Sequence, residues 1–172
     1  MREPVTAQKI ERLMEAFARA ADARLDIYFV GGTTAVLQGW RDSTIDVDFV
    51  TRPENESLER ALPLLKDQLS VNLEMASPID FIPVPAGWED RSPLIRQIGS
   101  VVFRHFDLYA QALAKIERGH ERDIVDVSEM LGRGLVDKEG LAAYFARVEA
   151  QLYRFPAIDA PTFRRSVEQV VK

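Results

Sequence analysis

Residues 30–49 read VGGTTAVLQGWRDSTIDVDF, and the fold turns on them. Just before them, Asp26–Val30 (DIYFV) is short, apolar and aromatic, and it stops at Gly31-Gly32. That pattern predicts a buried strand ending in a tight turn. Two glycines let the backbone turn sharply and let a bulky anion approach the bare main chain. A short helix is predicted over 33–39, with Thr33 or Thr34 available to cap it and Gly39 to end it. Free N–H groups at its start would favour an anion such as a phosphate. Thr44–Val50 then alternates strictly: Ile45, Val47 and Phe49 on one side, Thr44, Asp46 and Asp48 on the other.

Asp46 and Asp48, two residues apart on a strand, share a face. Held half-buried, their mutual repulsion costs about 1–3 kcal/mol unless a cation neutralises it. Magnesium suits that task, because it binds through one or two carboxylates and takes water and substrate phosphates at its other positions. A third carboxylate from a neighbouring strand would complete a two-metal site for phosphoryl transfer. Each feature alone has a plainer reading. A Gly-Gly pair is usually only a turn, and two aspartates can be the solvent face of an edge strand. Their combination at this spacing points to a site.

Outward from this stretch, 5–23 has helical periodicity, with Ile10, Leu13, Met14 and Phe17 on one face. Residues 54–68 read as a helix disturbed by Pro63. Ser70–Ala76 (SVNLEMA) alternates as a third strand, with Val71, Leu73 and Met75 opposite Asn72 and Glu74. Residues 77–93 hold Pro78, Pro83, Pro85 and Pro93 with Gly87 and Trp88, which predicts a long ordered loop containing a short strand at 79–82. Ser100–Phe106 reads as a fourth strand. Helices follow at about 107–118, 121–132, 137–151 and 159–171, the last with Asp159 as N-cap and Pro161 in its first turn. The result is an α/β core over 1–106 and a helical part over 107–172.

The chain has 172 residues, 47% of them apolar and 28% charged, which suits one globular domain or a core with an extension. Net charge is −5, from 22 basic and 27 acidic side chains, so a broad basic face for DNA is not expected. Cysteine is absent and there are only two histidines, His105 and His120, so a metal here is expected to be a hard cation on carboxylates. The opening MREPVTAQKIERLMEAF lacks the apolar core of a signal peptide, and no stretch approaches the roughly 20 apolar residues of a membrane helix. A cytoplasmic protein without membrane contact is expected.

The stretch 30–49 resembles the signature of the nucleotidyltransferase superfamily, whose fold is that of polymerase β: an apolar residue, Gly-Gly or Gly-Ser, a spacer, then Asp-apolar-Asp. Arg41, Ser43 and Thr44, with ASPIDFIPVPAGW and YAQALAKIERGHERDIVDV further on, resemble the AbiEii-like branch associated with toxin–antitoxin systems. The resemblance covers most of residues 26–132. It implies a small mixed sheet with flanking helices, and transfer of a nucleoside monophosphate from a nucleoside triphosphate to an acceptor hydroxyl of RNA, protein or a small molecule. A cognate toxin or antitoxin protein would be a partner. By the same resemblance Gly31, Gly32 and Thr33 meet the triphosphate, with Arg41, Thr44 and Lys115 assisting. Asp46 and Asp48 hold magnesium or manganese, and Glu74, or its rival Asp80, supplies the third carboxylate. Glu74 stands where the family often has Asp, so a silent nucleotide- or partner-binding module on the same fold is the alternative. An aminoglycoside-type nucleotidyltransferase shares the signature.

Two of these assignments compete with ordinary ion pairing. Lys115, Arg118 and Arg122 could share one positive face, or Lys115 and Arg118 could pair with Asp123 and Asp126. Arg41 could steer a phosphate or pair with Asp42 or Asp46.

Overall fold

A computed structural model describes residues 2–172. Strands come first, interleaved with helices, and helices alone follow. The strands are β1 (Val5–Thr6), β2 (Leu25–Val30), β3 (Ser43–Thr44), β4 (Asp46–Arg52), β5 (Asn72–Met75), β6 (Leu94–Ile98) and β7 (Val101–His105). The helices are α1 (Ala7–Ala20), α2 (Gly32–Gln38), α3 (Glu56–Leu69), α4 (Leu108–Arg118), α5 (Glu121–Gly132), α6 (Lys138–Glu149) and α7 (Ala160–Val171). None of the described helices is long and apolar enough to cross a membrane.

Five strands form a mixed sheet in the order β5-β4-β2-β7-β6, while β1 and β3 pair separately. β2 runs antiparallel to β4 and parallel to β7, and β4 runs parallel to β5. One face of the sheet is apolar. Ile27, Phe29, Val47, Phe49, Leu73, Val101 and Phe103 point into a core closed by Ile10, Leu13, Met14 and Phe17 of α1 and Leu58 and Leu65 of α3. The alternation of each strand therefore leaves Asp46, Asp48 and Glu74 on the opposite face.

Several expectations need correction. Ile45 does not join Val47 and Phe49: the chain bends there, β4 begins at Asp46, and Ile45 is 60% exposed. Met75, at the end of edge strand β5, is likewise exposed. Pro63 lies inside α3 without ending it. Residues 78–80 form a 3₁₀ turn in place of a strand. Strand β6 is absent from the sequence expectations. LIRQI lacks clean alternation, and the strand exists because the turn at Gly99, with φ +58°, folds it back on β7.

The chain divides into two compact units, 1–77 with 92–106 and 78–91 with 107–172. The loop 78–91 thus groups with the helices, and Arg91 explains why. Its guanidinium donates to the carbonyls of Pro85 and Ala86 and, at 2.7 Å, to the carboxylate of Asp107. Asp107 is buried, caps the start of α4, and also accepts from the hydroxyl of Tyr144. Burial and the Asp107 carboxylate hold the Tyr144 phenol above its ordinary range, so it remains a donor.

Candidate active site

Gly31 follows the last residue of β2 at φ +64°, ψ −126°, a backbone conformation that side chains rarely adopt. Its carbonyl accepts from the N–H of Ala35 and so starts α2. Across the antiparallel ladder Val30 pairs with Asp48, which brings the turn beside that carboxylate. A Cβ on Gly31 would lie 3.9 Å from Asp48 Oδ2. The bare Cα thus leaves no side chain on the turn beside that carboxylate oxygen.

Gly32 is constrained differently. A Cβ there would fall 2.1 Å from Thr44 Oγ1, 2.8 Å from Thr44 Cβ and 3.3 Å from Arg41 Nη1. Arg41 and Thr44 therefore both sit against the glycine turn. The Thr44 hydroxyl donates to the carbonyl of Asp46, which ties the bend at Ile45 to the start of β4. Arg41 brings a guanidinium to the turn, the donor type best matched to phosphate oxygens.

In the parallel ladder Asp46 pairs with Asn72 and Asp48 with Glu74. Paired residues of a parallel ladder share a face, so Glu74 stands beside Asp48 on the exposed edge strand. Among the described residues, however, no group of three or more His, Asp or Glu side chains is gathered as a metal cage. Asp46 instead accepts a hydrogen bond from the Asn72 amide at 3.1 Å. The sequence reading places Asn72 on the right face without giving it a role. Its alternation with Glu74 is the available signal. The donor set that remains, two hard carboxylates, is of the chemistry that suits magnesium or manganese.

Of the remaining candidates, Thr33 lies in the first unit and Asp80 and Lys115 in the second. Thr33 is fully buried and its hydroxyl oxygen has no hydrogen-bond partner, so its side chain does not line the open side of the turn. Asp80 ends the 3₁₀ turn of the second unit and is exposed. Lys115, also in the second unit, is buried and holds Asp126 at 2.7 Å and Asp123 at 3.9 Å. Burial by itself would raise the Asp123 carboxyl, but the bidentate Arg118 guanidinium and Lys115 outweigh it and hold it below the usual carboxylate range. Arg122 does not continue the Lys115 face, because Gly119 ends α4 at φ +69° and α5 starts anew. The ion-pair alternative is therefore the arrangement this unit adopts.

A family model described as nucleotidyltransferase of unknown function (DUF6036) matches residues 8–171. The chain belongs to that nucleotidyltransferase family. The match spans both units of the protein. No curated protein and no solved structure matches it significantly.

Proposed function

We propose that this nucleotidyltransferase is metal-dependent and transfers a nucleoside monophosphate from a nucleoside triphosphate to an acceptor hydroxyl, releasing pyrophosphate. The observation that carries the proposal is the placement of Gly31 against Asp48, with Arg41 and Thr44 on Gly32. Asp46 and Asp48 would hold magnesium or manganese, which when bound aligns the phosphates, neutralises their charge and makes the acceptor hydroxyl more acidic. Gly31 and Gly32 give the triphosphate a side-chain-free approach, and Arg41 offers donors to its oxygens. The acceptor oxygen bonds to the α-phosphorus as the bond to pyrophosphate breaks, and the hydroxyl proton passes to a carboxylate. Glu74, in register with Asp48, is the chain's nearest match to that base on the first unit, with Asp80 its rival. RNA, protein and small molecules all offer such an acceptor. The resemblance of Arg41, Ser43 and Thr44 to the AbiEii-like branch suggests a toxin–antitoxin setting.

Calorimetric titration of the four ribonucleoside triphosphates, with and without Mg²⁺, tests the reading. Wild type should bind at least one of them only with the metal, and Asp46→Asn/Asp48→Asn should lose that binding. A folded wild type that binds none refutes it. A second reading, a silent nucleotide- or partner-binding module, draws on Asn72 occupying Asp46 and on the exposed Glu74. It expects binding that survives Glu74→Gln and no pyrophosphate release with any acceptor.

A further inference from the structure

His105 ends β7 on the apolar side of the sheet, in register with Phe29 of β2, and is 4% exposed. A buried imidazole is retained at a cost unless its nitrogens are engaged. Its Nδ1 lies 3.0 Å from the hydroxyl of Thr34, and that hydroxyl is 3.4 Å from the carbonyl of Phe29, to which it donates. The three groups form a chain from β7 through α2 to β2. Thr34 stands two residues beyond Gly32, in the first turn of α2, and is itself buried. The same Phe29 carbonyl accepts from the N–H of Phe106 at 2.8 Å, so both ends of the chain are fixed to the sheet.

Which of His105 and Thr34 donates between them is set by which nitrogen of the neutral imidazole carries the hydrogen. Burial pushes the His105 pKa down to about 4, which keeps the ring in that neutral form near pH 7.

We propose that His105 is a positioning residue for the glycine turn: through Thr34 it fixes the first turn of α2, and so the backbone of Gly31 and Gly32, in the pose that receives the triphosphate. This rests on the nucleotide reading above. Gly31 and Gly32 carry no side chains, so the turn takes its position from the residues packed on Gly32 and from the strand and helix it joins. The Thr33 hydroxyl has no hydrogen-bond partner, so of the two threonine hydroxyls in that first turn it is Thr34's that ties the helix to the sheet.

The test uses His105→Phe, which keeps a buried ring and removes the nitrogen, with Thr34→Val and Thr34→Ser. Magnesium-dependent affinity for the triphosphate that wild type binds best is measured by calorimetry, and stability by denaturant unfolding. His105→Phe and Thr34→Val should bind about tenfold more weakly, the scale of one lost hydrogen bond. Thr34→Ser, which keeps the hydroxyl, should bind as wild type does. His105→Phe removes a buried polar group, so its stability should hold or rise while affinity falls. A purely structural histidine would move the two together. If wild type binds a triphosphate and His105→Phe and Thr34→Val bind it equally well, the positioning role is overturned and the nucleotide reading stands. If wild type binds none, the nucleotide reading fails and this role fails with it.

Discussion

Gly32→Ala is the sharpest perturbation the first unit offers. The new Cβ would lie 2.1 Å from Thr44 Oγ1 and 2.8 Å from Thr44 Cβ. Rotating Thr44 about χ1 removes the first contact and breaks the hydroxyl's bond to the Asp46 carbonyl. It cannot remove the second, because Cβ is fixed to the backbone. The turn or the 43–45 segment must therefore shift by several tenths of an ångström. Overpacking of this kind costs about 1–3 kcal/mol of stability. The functional loss should be of the same order. Thr44 leads directly to Asp46, so the shift separates the phosphate approach from the carboxylates, and a misplacement approaching 1 Å can lower turnover by about a hundredfold. Denaturant unfolding reads the first effect, and magnesium-dependent triphosphate binding reads the second. Gly32→Ala/Thr44→Gly removes both close contacts and should recover most of the stability, though not the affinity if Thr44 assists the nucleotide. A Gly32→Ala protein with unchanged unfolding midpoint and unchanged binding would refute the close packing of this turn.

Two further predictions concern buried charge. Because the folded pKa of His105 lies near 4 against 6.5 for the free ring, the unfolded chain takes up a proton between those values that the folded chain does not. Stability should thus fall as pH drops through this window, by about 2 kcal/mol between pH 7 and pH 4.5, and His105→Phe should abolish that component of the unfolding profile. In the second unit, Asp126→Asn removes the closer of the two carboxylates on the Lys115 ammonium and keeps the more distant Asp123, at 3.9 Å. A loss of about 3 kcal/mol is expected. Lys115→Met/Asp126→Leu should regain much of it, and a double variant that still binds triphosphate as wild type does would remove Lys115 from the nucleotide site.

The order of elements and their polarity could be read without coordinates, because both follow from local rules. DIYFV stopping at Gly-Gly and the alternation of Asp46, Val47, Asp48 and Phe49 each specify a strand and its buried face within a few residues. Some helix ends were legible for the same reason: Gly39 ends α2 in the left-handed conformation and Asp159 stands at the start of α7, whereas α2 begins after Gly31 and takes no cap from Thr33 or Thr34. The features that escaped were long-range. β6 pairs with β7 around a tight turn despite a pattern that does not alternate cleanly, so only the pairing reveals it.

The candidate site divides along the same line. Sequence spacing put Asp46 and Asp48 on one face and glycines at a strand end, since strand periodicity alone requires it. Register decided the rest. Antiparallel pairing sets Val30 opposite Asp48, and parallel pairing sets Glu74 beside it and Asn72 beside Asp46. Helix periodicity suggested a run of cations at 115, 118 and 122, but the break at Gly119 turned it into buried pairs with Asp123 and Asp126. Thr34 and His105 are 71 residues apart, and their hydrogen bond exists only because β2 and β7 lie side by side. Local sequence fixes backbone preference and which face is apolar; which polar groups meet depends on strand order and register, which are properties of the whole chain.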